Sequence, residues 1–134
     1  MNRLTGKITS IEHNSHMSLV DVAVGDDMFS ATLLETPQTA DYLEVGREVT
    51  LMFKETEVSL AKNLSGLISM RNRFSATVLG IEHGAIMSAV KLDYCGLPLT
   101  SIVTTRAVGR LNLTVGDSVE GLVKANEMVL SHDL

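Results

Sequence analysis

The sequence of 134 residues predicts an all-β protein made of two tandem five-stranded barrels, each carrying one short helix. Three observations support this prediction. The two halves align without a gap when each residue of the first half is matched with the residue 70 positions later. Apolar and polar residues alternate over short stretches of both halves. Turn signals that contain glycine separate these stretches, as expected for strands joined by hairpins.

The internal repeat defines the domain organisation. Two long segments of the first half match segments of the second: 2–20 with 72–90, and 42–60 with 112–130. Self-similarity at a fixed spacing is the signature of a duplicated structural unit. We therefore predict a first module at residues 1–66 and a second at residues 67–134. Modules this small bury little surface on their own, so pairing of the modules and of whole chains is expected.

Strands and hairpins follow from local signals within each module. The spacing of Leu4, Ile8 and Ile11 is typical of a half-buried strand. Gly25-Asp26-Asp27 predicts a hairpin turn in the first copy, and Cys95-Gly96 predicts its counterpart in the second. The Val-Gly pairs at 45–46 and 115–116 turn the chain into the next-to-last strand of each module.

One helix is predicted between the third and fourth strands of each module. In the first copy Thr36 is a suitable N-cap, with Pro37 at the first helical position. In the second copy either Thr104 or Thr105 is the cap. Five strands with a helix between the third and fourth is the order of an OB-like barrel.

Composition excludes several classes of protein. Hydrophobic residues make up 45% of the chain, so a packed core is expected rather than disorder. No apolar segment approaches the roughly 20 residues that a membrane span needs, and the N-terminal segment lacks the apolar core of a signal peptide. A single cysteine, Cys95, fits a reducing compartment. We therefore predict a cytoplasmic protein that does not insert into membranes.

The charge balance argues against nucleic acid as a partner. The chain has 11 Lys and Arg and 16 Asp and Glu residues, which gives a net charge of −5. Aromatic residues make up only 4% of the chain. Proteins that bind nucleic acid normally present a basic face, and those that bind single strands add aromatic stacking platforms. Neither feature is visible in this sequence.

Three separated motifs of the second copy resemble the molybdate-binding Mop domains, which are of the TOBE type. The motifs are Ser-Met-Arg-Asn-Arg-Phe at 69–74, Thr-Ser-Ile-Val-Thr at 100–104, and Gly-Leu-Val-Lys-Ala-Asn-Glu-Met at 121–128. They occur in the order found in that family, and the likeness extends over essentially the whole chain. The duplicated chain is similar to the two-copy, or di-Mop, proteins called molbindins.

The resemblance implies a bound molybdate or tungstate dianion held at subunit interfaces of a homo-oligomer, either a trimer or a dimer. It implies side-chain ligands at four positions and backbone amides near two more: Ser69, Arg71, Thr104 and Lys124 by side chain, and Ala107 and Ala125 by backbone. Ala107 stands where the family pattern has a serine, and Met70 stands where it has an alanine. No direct bond from protein to metal ion is implied.

The chemistry of these residues agrees with the resemblance. A fully deprotonated tetrahedral dianion needs only donors around it, and Arg, Lys, hydroxyl and amide groups supply them. No acidic residue stands at the four side-chain positions of the second copy. The first copy departs from this pattern, since only Lys54 remains there. Residues 1–67 carry a net charge of −5 and residues 68–134 a net charge of 0, so the acidic half lacks the motifs.

Other interpretations of the same residues are less favoured. The repeated Ile-Glu-His at 11–13 and 81–83 suggests a metal site, but duplication explains the repetition and the following Asn14 and Gly84 indicate exposed turns. The seven methionines are expected to fill the core. Cys95, in a turn beside Gly96, is expected to be inert.

Two functions from different classes follow from these observations. The first is non-catalytic binding or storage of molybdate or tungstate inside the cell. The alternative is a molybdate-sensing regulatory subunit that docks on a transporter or transcription-factor partner. No catalytic motif is recognisable in the sequence, so an enzyme is not expected.

Overall fold

The computed structural model describes residues 1–132, and most of its regular secondary structure is β-strand. The strands are β1 (Asn2–His13), β2 (Ser18–Val24), β3 (Asp27–Leu33), β4 (Glu48–Phe53), β5 (Ser59–Ala61), β6 (Asn72–His83), β7 (Met87–Tyr94), β8 (Leu97–Thr104), β9 (Ser118–Val123) and β10 (Val129–Ser131). One α-helix, α1 (Thr105–Arg110), follows β8. Two 3-10 helices, Glu55–Glu57 and Ala125–Glu127, precede the short strands β5 and β10. The predicted all-β class is confirmed, and the two predicted five-stranded barrels are two curled five-stranded sheets, or half-barrels.

The chain forms two compact units whose limits differ from those of the sequence repeats. Within the described residues, unit 1 contains Arg3–Phe53 and residues 124–132, and unit 2 contains Lys54–Val123. The strand order is β10-β4-β1-β2-β3 in unit 1 and β5-β9-β6-β7-β8 in unit 2. Each sheet therefore takes four strands from one repeat and its short outer strand from the other. The modules 1–66 and 67–134 remain a prediction from the sequence repeat, and in the sheets the short outer strands are exchanged between the repeats.

The two sheets repeat the same local devices. In unit 1 the register of β1 against β2 shifts between Ile8 and Ser10, and in unit 2 that of β6 against β7 shifts between Val78 and Gly80. At this bulge the N–H of Ile8 donates to Arg47 O at 2.9 Å, and the N–H of Gly46 donates back to Ile8 O at 2.8 Å. Val78 makes the matching pair of bonds in unit 2. The bulge thus fixes where the loop before the fourth strand returns to the sheet.

The predicted hairpins and glycine turns are confirmed. Cys95 and Gly96 have φ values of 50° and 87°, and positive φ at both central residues is what a two-residue hairpin of type I′ requires. Gly46 and Gly116 adopt φ values of 93° and 94°, so both Val-Gly turns use the left-handed freedom of glycine.

The two cores reach the same packing with different side chains. In unit 2 Phe74 lies directly opposite Gly121 on β9, and a Cβ atom at Gly121 would lie 2.2 Å from the Phe74 ring. The equivalent positions of unit 1 hold Leu4 and Leu51, which are 1% and 0% exposed. The large Phe74 side chain beside a glycine in unit 2 thus fills the space that two leucine side chains fill in unit 1. Close packing of the interior requires such compensation.

The helix predicted in the first copy is wrong, because the chain forms only a turn there. Thr36 O accepts hydrogen bonds from the N–H groups of Thr39 and Ala40, both at 2.9 Å. The Thr39 hydroxyl also bonds to Thr36, accepting from its N–H at 2.9 Å and donating to its carbonyl at 3.1 Å. Such side-chain bonds to nearby backbone compete with helix propagation. Pro37 is compatible with either structure, so this signal did not distinguish a turn from a helix.

The prediction that methionines fill the core is also wrong for most of them. Met128 is buried, but the side chains at four other positions are 42–52% exposed: Met1, Met17, Met28 and Met87. The alternating core positions of the strands are filled mainly by Val, Leu, Ile and Phe.

No helix within residues 1–132 is long and apolar enough to cross a membrane.

Candidate oxyanion site

The corner between β8 and α1 holds the best defined part of the site. Thr104 ends β8 with extended dihedral angles, and its Oγ1 accepts a hydrogen bond from the N–H of Ala107 at 3.1 Å. Thr104 is therefore the N-cap of α1, which confirms one of the two predicted caps. Because Oγ1 is the acceptor in this bond, the hydroxyl proton of Thr104 stays available to a ligand.

Thr105 fixes this corner against the loop that joins β6 to β7. Its N–H donates to Ile86 O at 2.8 Å, and its hydroxyl donates to Gly84 O at 2.8 Å. The buried Ser88 hydroxyl lies 2.7 Å from Thr105 Oγ1 and completes the network. Side-chain and main-chain bonds together hold the position of Thr104, so its hydroxyl is placed by the fold and does not need to be ordered by a ligand.

An open concavity of about 430 Å³ lies at this corner. Its lining residues are Ala85, Ile86, Thr104 and Arg106. Arg106 was missed by the sequence reasoning, which considered only the flanking Thr104 and Ala107 of the motif. Its position between Thr104 and Ala107 could have indicated it, because residues within the first turn of a capped helix lie close to the cap.

The predicted ligands Ser69 and Arg71 precede β6. Both are exposed, and Arg71 makes no hydrogen bond or ion pair with the other residues that the structure describes. The neighbouring Arg73 behaves differently, because its guanidinium binds both carboxylate oxygens of Glu120 at 3.0 and 2.8 Å. This pair lowers the pKa of Glu120 and raises that of Arg73, chiefly through the hydrogen bonds between them. Of the two arginines, Arg71 is therefore the one open to a ligand.

Lys124 and Ala125 belong to unit 1, whereas the other four predicted site residues belong to unit 2. Lys124 is exposed and is the N-cap residue of the second 3-10 helix, without a side-chain capping bond. Its counterpart Lys54 stands in the same place before the first 3-10 helix, where its N–H donates to Glu57 at 3.3 Å. The structure joins two of the six predicted residues, Thr104 and Ala107, by a hydrogen bond.

The equivalent corner of the first repeat holds different chemistry. Leu34 replaces Thr104 and is 85% exposed, and Glu35 replaces Thr105. The Glu35 carboxylate accepts a hydrogen bond from the buried Tyr42 hydroxyl at 2.5 Å, and the Tyr42 ring stacks on His132 with centroids 4.3 Å apart. Burial, followed by the hydrogen bond and charge of Glu35, raises the pKa of Tyr42 above its ordinary value. A carboxylate at this corner repels an anion, so the corner is unsuited to an oxyanion.

A metal-ion site of the usual kind is not formed by residues 1–132. These residues contain no group of three or more His, Cys, Asp or Glu side chains that could hold a metal ion. The repeated Ile-Glu-His motifs lie at the ends of β1 and β6.

Comparison with known proteins identifies the family. The TOBE domain model matches residues 1–60 and again residues 68–130. The chain belongs to the TOBE domain family. The predicted resemblance to TOBE-type domains is confirmed, and the family model matches this TOBE protein twice.

A solved structure resembles this TOBE protein over almost its full length. It is the cytoplasmic molybdate-binding protein ModG in a crystal form with molybdate bound, with 32% sequence identity and a TM-score of 0.90. The match covers 97% of this chain and 94% of that one.

Two curated relatives are longer proteins. The molybdenum transport protein ModE of Herbaspirillum seropedicae is 29% identical over 133 residues, which are 97% of this chain and 49% of that protein. The molybdenum import ATP-binding protein ModC of Brucella abortus (strain 2308) is 44% identical over 78 residues, 58% of this chain and 22% of that protein. The TOBE protein thus spans about half of the first relative and about a fifth of the second.

Proposed function

We propose that this TOBE protein binds molybdate or tungstate without chemical conversion and stores the oxyanion in the cytoplasm. The observation that carries the proposal is the likeness to molybdate-bound ModG over 97% of the chain at a TM-score of 0.90. The proposed ligand groups are the side chains of Ser69, Arg71, Thr104 and Lys124, with backbone amides near Ala107 and Ala125. The N–H of Ala107 itself is bonded to Thr104 Oγ1, so at that end a neighbouring amide would serve.

The donor chemistry supports a fully deprotonated dianion as the ligand. Arg71 and Lys124 supply two positive charges, and the free hydroxyl proton of Thr104 supplies a neutral donor. A site without a carboxylate cannot accept the proton of hydrogen phosphate, which is a major form of phosphate at neutral pH. Molybdate and tungstate carry no proton there, and both are larger than sulfate. We therefore expect tight binding of molybdate and tungstate, weak binding of phosphate, and exclusion of sulfate by size.

Calorimetric titration of the full chain with molybdate, tungstate, phosphate and sulfate tests this selectivity. The proposal expects molybdate and tungstate to bind far more tightly than the two smaller anions. Equal affinity for phosphate and molybdate would contradict it. Elemental analysis of the protein purified from its native source then distinguishes molybdate from tungstate.

A regulatory role makes a different prediction in the same preparation. If the chain senses molybdate for a transporter or a transcription factor, a pull-down from cell extract recovers that partner only when molybdate is present. Storage predicts a bound oxyanion and no such dependence.

We further propose that the binding form is a homo-oligomer, a dimer or a trimer, in which neighbouring chains share the site. Ser69 and Arg71 open the second repeat, and Thr104 and Lys124 follow more than thirty residues later. This spacing permits the opening segment of one chain to meet the later elements of a neighbour. A ligand that binds only the assembled form stabilises it by mass action, by about 2.7 kcal/mol at a hundredfold excess over its dissociation constant.

Mixing two inactive variants tests the shared site. Arg71→Ala and Lys124→Ala are each expected to bind poorly, while their mixture regains part of the binding because a mixed oligomer contains an intact site. Light scattering during dilution should show that molybdate suppresses dissociation. A monomer that binds molybdate with full affinity at micromolar concentration would contradict sharing between chains.

A further inference from the structure

We propose that Arg106 selects the charge of the ligand, so that the site prefers a tetrahedral dianion to a tetrahedral monoanion of similar size. This inference rests on the proposed function and adds a residue to it. It starts from the concavity at the end of β8, whose lining includes the side chains of Thr104 and Arg106. Arg106 is the basic residue of that lining.

The hydrogen bonds at this corner leave few donors for a ligand. The N–H of Ala107 is engaged by Thr104 Oγ1, and the N–H and hydroxyl of Thr105 are engaged by Ile86 O and Gly84 O. The hydroxyl proton of Thr104 and the donors of Arg106 remain. An anion that contacts Thr104 at this corner therefore finds in Arg106 a positive charge in addition to those proposed for Arg71 and Lys124.

The absence of a hydroxyl at position 107 increases the importance of Arg106. Ala107 has no side-chain donor, so it adds none to the hydroxyl of Thr104. A guanidinium carries five N–H donors in a fixed planar arrangement that suits the oxygens of an oxyanion. The Arg106 side chain is exposed and makes no hydrogen bond or ion pair with the rest of the described chain, so no carboxylate of residues 1–132 is paired with it.

The first repeat lacks this cation at the matching position. Thr36 stands there, is 3% exposed, and takes part in the turn that replaces the helix. The two repeats thus differ at this corner in both the hydroxyl and the cation.

Coulomb attraction explains why Arg106 discriminates by charge. At the same distance a cation attracts a dianion twice as strongly as a monoanion. Removing the cation therefore weakens binding of the dianion more than binding of the monoanion. Shape and size selectivity depend on the other groups and stay unchanged.

Equilibrium dialysis of the full chain with molybdate and with perrhenate, followed by elemental analysis, tests the inference. Perrhenate is a tetrahedral monoanion of similar size to molybdate. For Arg106→Ala we expect the affinity for molybdate to fall about tenfold, in the range for a charge-assisted hydrogen bond. The affinity for perrhenate should fall by a much smaller factor, so the ratio of the two affinities falls as well.

Three further variants make the result specific. Arg110→Ala removes an exposed cation from the last turn of the same helix and should leave both affinities unchanged. Arg106→Lys should retain most of the preference for the dianion, whereas Arg106→Gln should lose it. Thermal unfolding of each variant confirms that the fold is intact.

The outcomes separate this inference from the proposed function. If the unmodified chain binds molybdate and Arg106→Ala leaves the ratio of affinities unchanged, the role of Arg106 is wrong and the proposed function stands. An equal loss for both anions also overturns charge selection. If the unmodified chain binds no molybdate, the proposed function fails and this inference fails with it.

Discussion

The two units differ most at the corner that follows their third strand. In unit 2 the third strand ends in Thr104, which caps α1 and leaves a hydroxyl proton and the nearby Arg106 in a concavity. In unit 1 the third strand is followed by exposed Leu34 and by Glu35, whose carboxylate is bonded to Tyr42. The duplicated strands keep the same order, whereas the corner chemistry has diverged. The comparison shows that the two units share their strands and bulges, and we expect ligand binding to depend on the few corner residues in which they differ.

The cores differ as well, but there the difference is compensated. Phe74 and Gly121 in unit 2 fill the space that Leu4 and Leu51 fill in unit 1. A core position is constrained by its neighbour, so a change at one requires a change at the other. Thr104 and Arg106 are exposed, as is Leu34 at the corner of unit 1, so core packing does not constrain them in this way.

The largest expected effect comes from breaking this compensation. Gly121→Leu places a side chain where Phe74 already lies, and we expect a loss of about 3 kcal/mol in the free energy of unfolding. The double variant Phe74→Leu with Gly121→Leu recreates the unit 1 pair and should recover much of the loss. Urea unfolding of the two single variants and the double variant measures the coupling. Additive losses would show that the two positions do not compensate each other.

A smaller effect is expected from the cap of α1. Thr104→Ala removes the bond to the Ala107 N–H and should lower the free energy of unfolding by about 1 kcal/mol. It also removes the hydroxyl proposed as a ligand group, so the affinity for molybdate should fall. Thr104→Ser keeps both and should behave as the unmodified chain does.

The matched control for the cap is Thr39→Ala in unit 1. This change removes the hydroxyl that bonds to the Thr36 N–H in the turn, so it should lower stability without changing molybdate affinity. Calorimetry on both variants separates a structural effect from a ligand effect. Loss of molybdate binding in Thr39→Ala would contradict the assignment of the site to the second repeat.

Alkaline pH should destabilise unit 1 through Tyr42. Burial, and then Glu35, raises the pKa of Tyr42 in the folded chain above the ordinary value of 10.0. The protonated hydroxyl is therefore favoured by folding, so its contribution is fully present below pH 10 and decreases as the pH rises above it. Urea midpoints at pH 8 and pH 11 should differ less for Tyr42→Phe than for the unmodified chain. Equal differences would show that Tyr42 does not contribute to the alkaline loss.

The smallest effect concerns acid pH and unit 2. The Lys62 ammonium bonds to Asp117 at 2.9 Å and, with the N–H of Thr114, lowers the pKa of Asp117 below its ordinary value of 3.8. Stability from this group is present above about pH 4 and is lost as the pH falls through the lowered pKa. Because the pair is solvated, the change is small. Asp117→Asn should flatten the dependence of the urea midpoint between pH 5 and pH 2.5, and an unaltered profile would contradict the role of the pair.

Local features of the fold could be predicted from the sequence because their signals are local. The Cys95-Gly96 turn and the Thr104 cap follow from the conformational preferences of single residues. The exchange of β5 and β10 could not be predicted, because the sequence of a three-residue strand does not indicate which strand it pairs with. The turn after Thr36 escaped prediction because Pro37 suits the start of a helix and a turn equally.

The candidate site could be predicted only where a family motif covered it. Thr104, Arg71 and Lys124 lie at motif positions, and their exposure and geometry are compatible with ligand roles. Arg106 lies between two motif positions, and the concavity that it lines also requires Ala85 and Ile86 of the loop between β6 and β7. Contacts between distant segments of this kind require the structure.

The central claim is that the second repeat binds the oxyanion and the first does not, and the pair Lys54 and Lys124 tests it most directly. Both are exposed and occupy the same N-cap position before a 3-10 helix, so replacing each by alanine is a matched change. Calorimetric titration with molybdate should show an affinity at least about tenfold weaker for Lys124→Ala, because a charge-assisted partner of the dianion is lost. Lys54→Ala should bind as tightly as the unmodified chain. A loss in Lys54→Ala equal to or greater than that in Lys124→Ala would contradict the account.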